Sequence, residues 1–208
     1  MVTSVIKPSI PSLPRNRWRK SGPADIAQAT GAAIGRIIEK YEHVVLGEKP
    51  VQHWIIHRND VCNDMANDEY FKFGLVADTC EISACWSSIG KIYSAVLERA
   101  PGEIPSLFGM GGHSSHSYMQ GTNIYFQFGF TPRSAEAAQE DYMALITIIM
   151  EETLRYGGSI AHHHGSGKYR TAWMPQEHGS SYPLMYKLKE ALDPTGILNS
   201  GILLVDKA

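Results

Sequence analysis

Residues 122–158 read TNIYFQFGFTPRSAEAAQEDYMALITIIMEETLRYGG, and this run decides the fold. From Thr122 to Phe130, Ile124, Phe126, Phe128 and Phe130 fall on one face, and Asn123, Tyr125, Gln127 and Gly129 on the other. Successive side chains of a strand project to opposite faces, so one face packs into a core and the other is wet or functional. Pro132 closes the strand and Ser134 is a good helix cap. Ala138, Tyr142, Leu145, Ile149, Thr153 and Tyr156 then line one side of a helix that Gly157 and Gly158 end.

Upstream, Pro23 suits a first helical turn, and Ile26, Thr30, Ala33, Ile37 and Tyr41 recur at helical spacing. His43 to Leu46 and Val51 to Ile56 read as short strands around Gly47 and Pro50, and Asn59 to Asn67 as polar and irregular. Leu75 to Ala77 begins another extended piece. A helix from about Ser87 to Arg99 follows and buries Ile89, Ile92, Tyr93 and Val96, and Pro101 to Gly121 reads as a glycine-rich loop carrying histidines. Downstream, a last helix from about Ser181 to Leu192 is broken by Asp193 to Gly196 ahead of the tail ILNSGILL. This mixture predicts an α+β fold, an antiparallel sheet with helices packed on one face. Residues 1–22 form a proline-rich connector, with Pro8, Pro11 and Pro14 keeping it extended, and residues 23–208 the domain.

The balance of 19 basic and 21 acidic residues leaves a formal charge of -2, no footprint for nucleic acid. The cluster Arg15, Arg17, Arg19 and Lys20 reads as a solvated arm. Cys62, Cys80 and Cys85 are odd in number and lack CxxC spacing, which argues against a disulfide framework or a zinc knuckle. A reducing compartment, the cytoplasm, is the expectation. No run approaches the roughly 18 apolar residues of a membrane span, and the opening residues lack a signal peptide's apolar core.

Chemistry concentrates in residues 157–170, GGSIAHHHGSGKYR. A core segment has no need of His162, His163 and His164 together, since a buried imidazole without a partner is costly, and Gly165 and Gly167 suggest backbone bent for close approach. A solvated loop is the plain alternative. Tyr125, on the polar face of its strand, could give or take a proton from a rigid position or could be structural. Lys168 and Arg170 could hold a phosphate or carboxylate, or could be surface charges. His113 and His116, spaced HxxH, could join His162 or His164 around a metal. In an extended segment, however, His163 points away from the face that His162 and His164 share, and no metal is expected. GSGK lacks the upstream glycine of a phosphate-binding loop, so the chain carries no nucleotide fold of its own.

At these residues the chain resembles the C-terminal, substrate-binding cap region of FAD-linked oxidases, in the branch of alkylglycerone-phosphate synthase (alkyl-dihydroxyacetone-phosphate synthase). The resemblance runs from about Gly74 to Leu204. DTCEISACW (78–86) is similar to an ETSAPW-like segment, NIYFQFGF (123–130) to the family's tyrosine-bearing strand, the histidine turn to GGSLSHHHGVGK, and DPTGILNSG (193–201) to a terminal DPxxIxNxG. The resemblance implies FAD as cofactor and an exchange of the acyl group of acyl-dihydroxyacetone phosphate for a fatty alcohol, the ether-forming step of ether-lipid synthesis, with no net redox change. It implies that Tyr125 removes the substrate proton, that His162, His163 and His164 line the site and assist, and that Lys168 and Arg170 meet anionic groups. It places Arg58, His162, His163 and Asn199 beside the flavin.

A competing resemblance is to FAD-linked 2-hydroxy-acid dehydrogenases, which pair a GDGNxH strand with an EHGxG turn. Here Tyr125 stands for that histidine and His163 for that glutamate, which favours the ether-lipid branch. A ligand- or metal-binding module without flavin is the third reading. The family's flavin-binding half precedes the cap, and 208 residues leave no room for it. A fragment, a subunit with a flavin-carrying partner chain, or a non-catalytic remnant would each account for that. The expected partner is a small lipid or hydroxy-acid substrate, and the full-length protein is expected to be a homo-oligomer.

Overall fold

The computed structural model describes residues 23–60 and 74–205. The proline-rich opening, Cys62 and most of the polar stretch 59–67 lie outside the described residues. The chain divides into two compact units, residues 1–67 and 68–208.

In the first unit, α1 (Ala24–Ile38) begins directly after Pro23 and α2 (Lys49–His57) carries Pro50 in its first turn. The two expected strands are absent. Residues 43–46 have no regular structure, and Val51 to Ile56 lie inside α2. Pro50 lacks an N–H where a helix would leave it unpaired anyway, and Gln52 N–H closes on Glu48 O at 3.0 Å. Val51, Trp54 and Ile55 fit the helical repeat as readily as a strand, so a short β-branched run could not decide between them.

The second unit runs β1 (Val76–Cys85), α3 (Trp86–Glu103), β2 (Leu107–His113), β3 (Gly121–Phe130) and α4 (Ala135–Arg155). The histidine turn, a 3-10 turn (Thr171–Trp173), α5 (Met174–His178), a second 3-10 turn (Gly179–Ser181) and α6 (Tyr182–Leu192) follow. The three strands form an antiparallel sheet in the order β1-β3-β2. Cys80, Ile82, Ile124, Phe126, Phe128 and Phe130 from the sheet meet Ile92, Val96 and Ala100 of α3 and Leu145, Ile146 and Ile149 of α4 in one buried cluster. Each such large side chain withdrawn from water contributes about 1.5–3 kcal/mol. Ser134 Oγ caps α4 by accepting from Ala137 N–H at 3.2 Å, and Gly157, at φ 70°, ends the helix in the left-handed region.

The expected loop 101–121 is corrected by a strand, since Pro101 sits near the end of α3 and 107–113 is β2. Gly109, Gly111 and Gly112 disguised it, because glycine ordinarily weakens strands. At Gly112 the choice is steric, as a Cβ there would stand 2.8 Å from the Tyr93 ring. No helix among the described residues is long and apolar enough to cross a membrane.

The register sets up the site. Glu81 of β1 and His113 of β2 both lie opposite Tyr125 of β3, and Ser83 lies opposite Asn123. Cross-strand partners share a face, so His113, Tyr125 and Glu81 make one row on the face away from the phenylalanines.

Candidate functional site

Four short contacts pin the histidine turn over this row. Ser159 N–H donates to Ser83 O at 2.7 Å, and Ser83 N–H to Ser159 O at 3.0 Å. Glu177 of α5 accepts from Ser159 Oγ at 2.5 Å and from Ile160 N–H at 3.2 Å. Gly158 is needed at the crossing, since a Cβ there would lie 2.9 Å from Ile92 and 3.0 Å from Ser83 O. Residues 162–164 are therefore bent, not extended. The expectation that His163 points away from its neighbours is corrected accordingly, because His162 and His163 both turn toward Glu81.

Glu81 is completely buried and is the hub of the site. One carboxylate oxygen, Oε2, accepts the backbone N–H of His163 at 3.0 Å and of His164 at 3.1 Å. The other, Oε1, meets His163 Nδ1 at 2.6 Å, His162 Nδ1 at 3.1 Å and Asn123 Nδ2 at 3.3 Å. Burial pushes its pKa up, but the N–H groups of His163 and His164, and then His162 and Asn123, outweigh it and hold the carboxyl at about 2. A fixed negative charge thus sits beneath the imidazoles at neutral pH. The Asn123 carboxamide oxygen accepts the backbone N–H of Ser115 and His116 at 3.3 and 3.0 Å, tying in the loop that carries Tyr118.

Two tyrosines close the network. Tyr125 OH lies 2.7 Å from His163 Nε2, and Tyr118 OH 2.8 Å from His162 Nε2. Tyr125 is clamped, its ring stacked on His113 with centroids 4.9 Å apart at 8° and the His164 ring 5.2 Å away on edge. His162 Nδ1 lies within hydrogen-bond distance of both Glu81 Oε1, at 3.1 Å, and His163 Nδ1, at 2.9 Å. Tyr125 is thus hydrogen-bonded to an imidazole whose Nδ1 sits 2.6 Å from a buried carboxylate, with the His163 side chain still 43% exposed. Ligand atoms of His116, His162 and His163, and of Glu81, His163 and His164, also lie within 4.8 Å of one another. Each ring nitrogen of His162 and His163 already meets a hydroxyl or Glu81.

The structure thus brings Tyr125, His162, His163 and His164 together. Arg170 is placed differently, for it is completely buried and its guanidinium donates to Gly165 O at 2.6 Å and Glu81 O at 2.9 Å. It braces the turn against β1 from within. Lys168 is exposed beyond Gly167. Asn199, at φ 48°, lies in the C-terminal tail beside Tyr186 and Lys189 of α6. Arg58 caps α2 in the first unit, 5.9 Å over the Trp54 ring. Glu81, Asn123 and Tyr118 are site residues that the sequence did not single out. A lone glutamate inside an otherwise core-forming strand was the available signal for the first.

Residues 23–203 match the family model of FAD linked oxidases, C-terminal domain. Over 191 residues the chain is 38% identical to an uncharacterized FAD-linked oxidoreductase, YgcU, of Escherichia coli (strain K12), covering 88% of this chain and 40% of that protein. It is 28% identical over 178 residues to the alkyldihydroxyacetonephosphate synthase of Caenorhabditis elegans, covering 82% of this chain and 29% of that one. A solved structure of an alkyldihydroxyacetonephosphate synthase superposes with a TM-score of 0.53 at 15% identity, over 89% of this chain and 30% of the other. That likeness bears on the α+β fold. The chain spans about two-fifths of the bacterial relative's length and less than a third of the synthases'.

Proposed function

The chain belongs to the family of FAD linked oxidase C-terminal domains, and on that premise we propose that it is the substrate-facing part of a FAD-dependent enzyme. Its proposed reaction exchanges the acyl group of acyl-dihydroxyacetone phosphate for a fatty alcohol. The observation that carries the reading is the hydrogen bond between Tyr125 and His163 with the buried Glu81 carboxylate 2.6 Å from His163 Nδ1. Such an exchange needs a rigid group that takes a proton from the substrate, and a means of holding that proton without net electron transfer. Tyr125 passes its hydroxyl proton to His163 Nε2 as it accepts the substrate's. The imidazolium so formed lies 2.6 Å from Glu81 Oε1, whose charge offsets its own.

The donor set fits a flavin ring in part. Tyr125, His163 and His164 present hydroxyl and imidazole groups at an open surface, as a reacting ring would require, and no phosphate-binding loop accompanies them among the described residues. His162 and His163 would face the ring. Asn199 and Arg58, in the tail and in the first unit, are the further candidates. When bound, FAD supplies an electron-accepting ring to the substrate. This chain's residues supply orientation and proton handling.

The test is to supply acyl-dihydroxyacetone phosphate and a labelled long-chain alcohol to the chain completed with a flavin-binding half. Label appearing in an ether product supports the proposal, and none refutes it. A second reading, oxidation of a 2-hydroxy acid, draws on the higher identity to a protein named as an oxidoreductase. Bleaching of the flavin by lactate or glycolate without ether formation would favour it.

A further inference from the structure

Three atoms able to ligate a metal meet at the centre of the network. Glu81 Oε1 lies 2.6 Å from His163 Nδ1 and 3.1 Å from His162 Nδ1, and the two Nδ1 atoms are 2.9 Å apart, a nearly equilateral triangle. No placement of hydrogens satisfies all three edges. The Glu81 carboxylate is held ionised and only accepts. Hydrogen on both Nδ1 atoms serves the two edges to Glu81 and sets two donors against each other across the third. Hydrogen on one of them leaves the lone pair of the other nitrogen facing the carboxylate oxygen. A cation capping the triangle satisfies every edge at once, because all three lone pairs then point to it. We propose that Glu81, His162 and His163 bind one divalent transition-metal ion through Oε1 and the two Nδ1 atoms.

Adjacent ligands of an octahedral ion bound at about 2.1 Å stand about 3.0 Å apart, the scale of these three edges, and two imidazoles with one carboxylate on a single face are a donor set for first-row transition ions. Charge points the same way. Glu81 is completely buried, and among the described residues its carboxylate pairs with imidazoles alone, so a dication supplies the charge that offsets it. The surroundings are those of held ligands. A ligating histidine donates from its other ring nitrogen, and here His162 Nε2 meets Tyr118 OH at 2.8 Å and His163 Nε2 meets Tyr125 OH at 2.7 Å. The backbone N–H groups of His163 and His164 fix Oε2, and Asn123 Nδ2 lies 3.3 Å from Oε1. A ring nitrogen of His116 stands within 4.8 Å of those of His162 and His163, close enough to supply a fourth ligand. The bend of the turn makes this possible, since an extended segment would send His163 away from His162. With the ion on Nδ1, the ring hydrogen of His163 sits on Nε2 and cannot give way to the Tyr125 proton. Ion binding and proton acceptance by His163 are therefore alternative states of one site.

The test needs neither substrate nor flavin, so it stands apart from the reaction proposed above. The full chain, stripped with a chelator, is titrated calorimetrically with cobalt(II). One equivalent should bind, and His162→Ala and His163→Ala should each weaken binding about tenfold or more. Both side chains are partly exposed, 19% and 43%, so both variants should keep the far-ultraviolet circular dichroism of the wild type. His57→Ala removes the histidine that pairs with Asp60 in the first unit and should leave the titration unchanged. X-ray absorption of the cobalt-loaded chain should show nitrogen and oxygen ligands with two imidazoles among them. No uptake of cobalt, undiminished binding in His162→Ala and His163→Ala, or a sulfur ligand would overturn the proposal. Should Glu81→Gln not fold, the two histidine variants still decide the matter.

Discussion

Replacing Glu81 by glutamine keeps the shape of the side chain and removes the charge that organises the turn. A carboxyl held at about 2 in the folded chain, against 4.5 when free, contributes about 3 kcal/mol of stability at neutral pH. The folded value lies below the unfolded one, so the contribution is complete above about 4.5 and disappears as pH falls toward 2. Urea unfolding from about pH 7 down to about pH 3 reads it directly. Asp193, also held at about 2 by Lys189 and the N–H groups of Leu198 and Ile197, titrates in the same window in both proteins and cancels. Glu81→Gln should be less stable by about 3 kcal/mol or more at neutral pH, because its amide also sets an N–H₂ against donors. The gap should narrow as the wild type loses its charge in acid. A gap constant across the acid range would refute the reasoning, since it would mean that the buried carboxylate is not held ionised by the turn.

Three other substitutions probe the frame. Gly121→Ala would place a Cβ 2.1 Å from the carbonyl oxygen of Ala84 in the adjoining strand, and thermal unfolding should show a loss of about 1–3 kcal/mol or failure to fold. Arg170→Lys cannot bridge Gly165 O and Glu81 O with one ammonium, so chemical unfolding should register about 2 kcal/mol and the amides of residues 162–165 should exchange faster with solvent. Ser134→Ala removes the cap of α4 and should cost about 1 kcal/mol in the same assay.

The long amphipathic elements were legible because their patterns have room to repeat. Phenylalanine alternation in β3 and the apolar stripe of α4 each persist long enough to exclude the other period, and both matched to within a residue or two. Short elements were not. Val51, Ile55 and Ile56 suit strand or helix, and Pro50 settles the matter only through where it falls in a helical turn. Gly112 helped hide β2 because the reason for it, the Tyr93 ring packed close by, lies on another element. The same distinction divides the site. Tyr125 and the three histidines are local signals, whereas the importance of Glu81 depends on a strand register that sets it opposite Tyr125 and on a turn some eighty residues later. Arg170 lies in the same turn, but its burial and its hydrogen bonds to the backbone of Gly165 and Glu81 depend on the fold and are not visible in the sequence.

The central claim is that Tyr125 moves the substrate's proton with His163 and Glu81 behind it. The most direct measurement compares turnover of wild type and Tyr125→Phe, each completed with a flavin-binding half and supplied with acyl-dihydroxyacetone phosphate and a fatty alcohol. The account predicts a kcat lower by about 10²–10⁴-fold in the variant, with the unfolding midpoint and the flavin absorption band unchanged. Turnover equal to that of wild type would contradict it.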